Sequence, residues 1–262
     1  MLLVNVSPLG AGFDRAQAVA VQTDGRILVS GYSDNTSSSD RDGSIIRLNT
    51  NGTLDTNFSG DGKILVEMDG TAAQDRFNGL AIDSSGNIFA AGRAGSNAGI
   101  TKLDSSGNLI AAFDGDGVVI HPLGGSGASA RYNALRLDGS GRPVGVGSFI
   151  SGGFVTLFVA RSNATTGALD TTFDGDGSNS VDIQGGQEDA RAMGIQSDGR
   201  IIASGPCDND NSGFFKSCAA RFTTAGALDT TFGDGSDGKI VVNPGAPSAT
   251  RSRVRFKVMA SI

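Results

Sequence analysis

The sequence predicts an all-β chain, a β-propeller of four-stranded antiparallel blades, and three observations predict it. The chain repeats itself with a period near 58 residues, each repeat holds about four short apolar segments parted by turn signals, and the composition disfavours helix. The turn glycines Gly25, Gly86, Gly141 and Gly199 are 61, 55 and 58 residues apart, and Phe58, Phe113, Phe173 and Phe232 are 55, 60 and 59 apart. Four-stranded meanders recurring at that interval are the signature of propeller blades. Of 262 residues, 40 are Gly and only 6 are Pro. That is about 15% Gly against a usual ~7%. Each interior Gly costs a helix roughly 1 kcal/mol, and the scarcity of Pro without a three-residue period excludes collagen.

Four repeats follow one another over 16–68, 77–123, 132–183 and 190–242. In the first, strands are expected at 19–22, 27–32, 45–49 and 63–67. Asp24-Gly25 joins the first pair as a tight hairpin in which Gly supplies a positive φ. The second strand ends in small residues, as in Ser30-Gly31, Ala90-Ala91-Gly92 and Ser204-Gly205, which suits sheets packed closely around an axis. The third strand ends at Asn51-Gly52. There follows LDTNF at 54–58, or LDTTF in later repeats. Its Asp and Thr suit a capped turn, because their side chains bond nearby backbone, and Phe58 then plugs the turn onto the core. A short fifth strand is the alternative. Outside the repeats, 2–6 reads as a fourth strand without its blade and 253–259 as a first strand without its blade. A closed ring of four or five blades, an open arc and a piece of a larger propeller all accommodate this. The mid-blade ends favour the piece.

Asp plus Glu number 27 and Lys plus Arg 21, a net charge of −6. An acidic chain with no basic cluster does not suit nucleic acid, where neutralising phosphate dominates affinity. No apolar run approaches the ~20 residues that span a bilayer. Cys207 and Cys218 bracket ten residues. A disulfide closing that loop would constrain the unfolded chain by about 3 kcal/mol and would place the protein in an oxidising compartment, extracellular or at the cell surface. Two unpaired small residues are the alternative, and a zinc site lacks a second ligand pair. The start, MLLVNVSPLGAG, lacks the basic and apolar regions of a signal peptide.

Two motifs carry a resemblance. Ala18, Gln22, Asp24, Gly25, Arg26, Ile27 and Gly31 form one, and Gly226, Leu228, Asp229, Thr230, Thr231, Phe232, Asp234 and Gly235 the other. Together they resemble the delta-60 repeat family, and the likeness extends over 16–242. The second repeat departs from it with LIAAF at 109–113, and the third with SGRP at 140–143. GLAIDSSGNIFAAG at 79–92 also resembles NHL-type propeller repeats. The resemblance implies a β-propeller in a secreted or surface-exposed bacterial protein, and it supplies no catalytic residue.

Three groups of residues carry candidate chemistry. The Gly-Asp-Gly turns place Asp114 with Asp116 and Asp174 with Asp176. Carboxylates spaced by two resemble half of a calcium loop, whereas the plainer reading is a turn whose Asp bonds backbone N–H groups. Arg15, Arg76 and Arg131 approach the first strands and would ring one mouth of an axial channel. They would hold an anion or an acidic partner through charge-assisted bonds, or pair with acids of neighbouring blades, the reading that the accompanying acids favour. His121 is the one histidine. It is expected to be exposed or at an edge, and without a His cluster it suggests no metal site. These readings converge on a non-catalytic repeat module, a scaffold or binding surface of a secreted or cell-surface protein. Protein or carbohydrate partners would engage the variable loops 34–43, 95–99 and 208–216. A calcium-stabilised adhesion module is one alternative. A hydrolase or lyase acting at the axial channel is another, although the innermost strands carry mainly Ala, Val, Leu, Ile and Gln.

Overall fold

A computed structural model describes residues 4–8, 12–37, 39–71, 73–183, 185–208 and 215–242. The first blade comprises β1 (Asp14–Val21), β2 (Ile27–Ser37), β3 (Asp40–Leu48) and β4 (Lys63–Val66). The second holds β5 (Arg76–Ile82), β6 (Ile88–Ala94), β7 (Asn97–Leu103) and β8 (Val118–His121). The third holds β9 (Ser129–Leu137), β10 (Pro143–Ser151), β11 (Phe154–Arg161) and β12 (Ser178–Val181). In the fourth, the first strand is broken into β13 (Gln187–Glu188) and β14 (Ala192–Ile195), followed by β15 (Ile201–Asp208), β16 (Lys216–Phe222) and β17 (Lys239–Val242). Within each blade neighbouring strands pair antiparallel. The fold is that of β-propeller blades, and the glycines of the four first hairpins, Gly25, Gly86, Gly141 and Gly199, all have positive φ.

The first strands pack side by side in the order β1, β5, β9, β14, and among the described residues the sheets do not close into a ring. Three apolar cores fill the three spaces between blades. Phe58 and Phe77 belong to the first, Phe113 and Tyr132 to the second, Phe173 and Phe222 to the third. Each blade also bonds the lead-in of the next through the start of its third strand. Arg41 N–H donates to Ala73 O at 3.0 Å, Ala130 N–H to Ser96 O at 2.9 Å, and Val155 pairs in parallel with Gln187.

Each first strand carries one extra residue relative to its partner, Gln17, Asn78 and Asn133 in the first three blades. This bulge turns a backbone carbonyl onto the second strand. A Cβ on Gly31, Gly92, Gly147 or Gly205 would come within 1.9 Å of Arg15 O, Arg76 O, Arg131 O or Asp189 O. Glycine at these four places is therefore demanded by the bulge, and not by crowding about an axis as the small residues had suggested.

The segment after the third strand is a turn held by one bridging residue, Leu54 opposite Leu48 and its counterparts, so no fifth strand forms. The expected loop over 34–43 is mostly strand. Its polar residues pair across the hairpin, with Arg41 Nε donating to Asp34 Oδ1 at 3.1 Å and Asn35 Nδ2 to Asp42 Oδ2 at 2.9 Å. Of the expected terminal strands, 253–259 lies outside the described residues. Over 2–6, the described residues 4–6 take no strand pairing. They nevertheless hold the place that the end of β4 holds beside the second blade: Val6 N–H donates to Asp14 at 3.0 Å as Met68 N–H does to Asp75.

Candidate functional site: an arginine-lined mouth

Because β1 runs antiparallel to β2, the start of every first strand lies at the same end of its blade as the tip of the β2–β3 hairpin. Arg15 stands opposite Tyr32, Arg76 opposite Arg93 and Arg131 opposite Ser148. The close approach of Asp189 O to Gly205 puts Asp189 at the corresponding place in the fourth blade. The mouth thus reads Arg15, Arg76, Arg131, Asp189 around the arc.

Only part of this set is paired. Arg131 meets Asp189 at 3.1 Å, and Arg191 meets the same carboxylate at 3.0 Å. Asn133 Nδ2 and Ser148 Oγ each donate to it at 2.7 Å. Burial alone would raise the Asp189 pKa, but the Ser148 hydroxyl and the two guanidinium groups hold it below the usual carboxylate range. Inter-blade pairing of arginine with acid is therefore realised at Arg131. It is not realised at Arg76, whose neighbouring blade offers Arg131 at the matching position and Ala130 just before it. Among the described residues Arg76 has no ion pair, and its Nε is buried without a hydrogen-bond partner. Its pKa is lowered, by burial first and then by the nearby Arg131 and Arg93. An arginine so placed keeps its charge, so the mouth holds a partly desolvated cation among like charges.

Below the mouth the first strands line a groove of about 530 Å³. Its polar surface comes from Gln17, Asn78, Asn133, Arg136 and Arg191, and its apolar surface includes Val19, Leu80, Leu135 and Met193. Two of the bulge amides latch adjacent blades: Asn78 Nδ2 donates to Tyr132 O at 2.7 Å and Asn133 Nδ2 to Ala190 O at 2.8 Å. Sequence reasoning missed them. The signal that could have found them is an amide two residues after each mouth arginine, in Arg15-x-Gln17, Arg76-x-Asn78 and Arg131-x-Asn133. The exposed apolar side chains Phe13, Ile150, Phe154 and Phe215 lie at the same end of the blades.

The turn carboxylates lie at the opposite end of the blades. Asp61, Asp116, Asp176 and Asp237 each accept a backbone N–H two residues on, at 2.8 to 3.1 Å. Asp114 and Asp174 adopt the left-handed conformation, φ 54° and 52°, and their N–H groups donate to Thr166 O and Ala225 O of the next blade. Burial and the neighbouring Asp176 raise the Asp174 pKa. Among the described residues no three metal-ligating side chains gather.

His121 is not at the surface. It is buried between the second and third blades, with Nε2 3.0 Å from Gly167 O and Nδ1 2.8 Å from the Tyr132 hydroxyl. A carbonyl only accepts, so Nε2 carries the proton and Nδ1 accepts from Tyr132. Burial lowers its pKa to about 4, against the Gly167 carbonyl, which acts to raise it. A short strand in an apolar context reads the same for an edge and for a strand that another blade covers, so the sequence had suggested exposure. Cys207 and Cys218 form a disulfide between β15 and β16, with Cα atoms 5.8 Å apart.

The Leu-Asp-Thr-Thr-Phe motif has a structural cause. Arg47 meets Asp55 at 2.7 Å and lies over the Phe58 ring, Arg161 meets Asp170 at 2.8 Å over Phe173, and Arg221 meets Asp229 at 2.8 Å over Phe232. Arg47 also donates to Ser105 O and Arg161 to Thr224 O, both in the following blade. In the second repeat the Asp is Ile110, and the cation is Lys102, which still lies over Phe113 and donates to Ala164 O at 2.6 Å.

The family model described as a β-propeller domain of unknown function (DUF5122) matches residues 22–58 and 196–232. These are the first and fourth repeats, from the glutamine before the Asp-Gly hairpin to the plugging phenylalanine. No curated protein matches the chain. Several solved structures are similar at low identity. A virginiamycin B lyase from Staphylococcus aureus is 12% identical with a TM-score of 0.43, over 81% of this chain and 54% of that one. An α-L-arabinofuranosidase from Clostridium thermocellum is 11% identical with a TM-score of 0.42, over 80% and 68%. Extracellular domains 1–2 of Drosophila semaphorin 1b are 12% identical with a TM-score of 0.42, over 79% and 40%. The chain thus spans about half the length of the first of these and less of the last.

Proposed function

We propose that this chain is a non-catalytic propeller module, of the delta-60 kind and in a secreted or cell-surface protein, that binds a carboxylate-rich segment of a partner protein at its arginine-lined mouth. The observation that carries the reading is Arg76, a partly buried guanidinium with an unpartnered Nε and three arginines near it. Such a group gains more from an incoming carboxylate than an exposed one does, because its desolvation has already been met within the fold. Exposed Phe13, Phe154 and Phe215 at the same end supply the apolar contact that arginine- and aromatic-rich interfaces use. The groove lining named above includes no carboxylate or imidazole, which supports binding over acid–base chemistry. The disulfide supports an oxidising compartment.

Isothermal titration with a poly-glutamate peptide tests this. Binding that weakens with salt is expected, and Arg76→Ala should lower the affinity about tenfold, near 1.4 kcal/mol, with little change in melting temperature. Absence of binding, or an affinity that Arg76→Ala leaves unchanged, would remove the reading. Binding of polygalacturonate in place of the peptide would move the ligand class to acidic glycans.

A further inference from the structure

We propose that the seam between the first two blades, at the end opposite the mouth, is a binding site for a neutral sugar. The site is separate from the arginine mouth and stands whether or not the mouth binds. A cavity of about 410 Å³ opens at this seam, within the ~300–1,000 Å³ of small-molecule sites. One wall is the first hairpin of the first blade, joined by Asn57 of its Leu-Asp-Thr-Asn-Phe turn. The other wall comes from two identical turns of the second blade, Asp83-Ser84-Ser85-Gly86-Asn87 and Asp104-Ser105-Ser106-Gly107-Asn108. Both turns are held from within. Asp83 Oδ1 accepts from the Ser85 and Asn87 N–H groups at 2.9 Å, and its Oδ2 accepts from Asn87 Nδ2 at 2.8 Å. Asp104 makes the same three bonds with Ser106 and Asn108 at 2.8, 2.9 and 3.0 Å. The walls are also tied to each other, since Arg47 donates to Ser105 O, and Ser59 N–H donates to Ser106 O at 2.8 Å. A cavity fixed in this way loses little freedom when a ligand enters.

The chemistry of the lining selects the ligand class. Its charges are already paired: Arg47 meets Asp55 at 2.7 Å, and Arg26 meets Asp24 at 3.0 Å and Asp55 at 3.3 Å. An anion or a cation entering the cavity would have to compete with these pairs. Among the described residues no apolar side chain lines it, so it offers little to an apolar ligand. What remains are hydroxyl and amide groups. Among the described residues the side chains of Asn57, Ser84, Ser85 and Ser105 take no hydrogen bond. Gln22, also in the lining, has its Oε1 buried without a partner, and a ligand hydroxyl meeting that amide would supply the missing donor. Hydroxyl and amide groups together donate and accept, which matches the hydroxyl groups of a sugar. The other seams differ at the place of Asn57. The second has Ala112, and the third has Thr172, whose hydroxyl is bound to Asp170 at 2.6 Å and to Arg161 at 3.0 Å. An unengaged amide at this height therefore belongs, among the described seams, to the first alone.

Amide chemical shifts of the full 262-residue chain, titrated with cellotriose, maltotriose, mannotriose and xylotriose, test the proposal. At least one triose should shift the amides of the two serine turns. Half-saturation is expected near about 1 mM, since hydrogen bonds without apolar burial contribute little net. Added salt should leave this binding unchanged, which separates it from the mouth. Ser85→Trp fills the cavity and should abolish the shifts. Asn57→Ala should weaken binding about tenfold by removing an amide that only the ligand engages. Both positions are exposed, so both variants should melt as the wild type does, and Ser106→Trp replaces Ser85→Trp should the latter unfold. No shift with any of the four trioses at about 10 mM, shifts that both variants leave unchanged, or binding that salt weakens would each overturn the proposal.

Discussion

Two buried titratable residues set opposite pH responses. His121 titrates near 4 in the fold against an ordinary 6.5. Its contribution is complete above pH 6.5 and is lost as the pH falls from there toward 4, on the order of 3 kcal/mol. Asp42 is raised from 3.8 to about 6, by burial first and then by Asp40, Glu67 and Asp75. The stability linked to it is complete below pH 3.8 and is lost as the pH rises through 6. Thermal melts between pH 4 and 7 should show the balance. At pH 7 the Asp42→Asn variant should be more stable than the wild type by about 2 kcal/mol. Its melting temperature should also fall more steeply on acidification, since the opposing response of Asp42 is gone. An Asp42→Asn chain less stable than wild type at pH 7 would contradict this account. Nothing in the sequence around Asp42 announced the shift, because Glu67 and Asp75 come from distant positions and meet it only in the fold.

At the scale of the element, the Arg–Asp–Phe clasp decides how well a blade holds its neighbour. In the third blade Arg161 is nearly buried and spends its donors on Asp170, on Thr172 Oγ1 and on Thr224 O of the fourth blade. Burial would raise the Asp170 pKa, but the Thr172 and Arg161 bonds hold it below the ordinary carboxylate value. Asp170→Asn should therefore cost about 2–3 kcal/mol, because it leaves a buried guanidinium without its charge partner. Asp24→Asn breaks an exposed pair with Arg26 and should cost less than about 0.5 kcal/mol. Urea melts of both variants measure the contrast, and equal losses would show that the clasp is not where the stability lies. The motif itself was visible in the sequence as LDTTF, as was the burial of its phenylalanine. The cation that completes it was not, since Arg161 lies on the third strand, nine residues before Asp170 in the turn, and only their pairing across the turn relates them.

At the scale of the whole molecule, the chain is polarised along its blades. The mouth arginines Arg15, Arg76 and Arg131 and the exposed phenylalanines lie at one end, and the turn carboxylates at the other, beside the arginines of the clasps. The calcium reading concerns that second end, where Asp61, Asp116, Asp176 and Asp237 already accept backbone N–H groups. EDTA should accordingly leave the melting temperature unchanged within about 1 °C, far less than the 4–8 °C per kcal/mol that a small domain shows. A drop of several degrees would restore calcium as a stabilising ligand. By itself the sequence determined the four repeats, the four strands of each and the glycine turns. All of these follow from local chemistry repeated at a fixed interval, where a positive φ or a hairpin needs the same residue each time. Only the tertiary structure decided that His121 is buried, and that Arg131 finds Asp189 while, among the described residues, Arg76 finds no acid. Those outcomes depend on which residue the neighbouring blade brings to the same height. That residue lies some 55 to 60 positions away, beyond the reach of any local pattern.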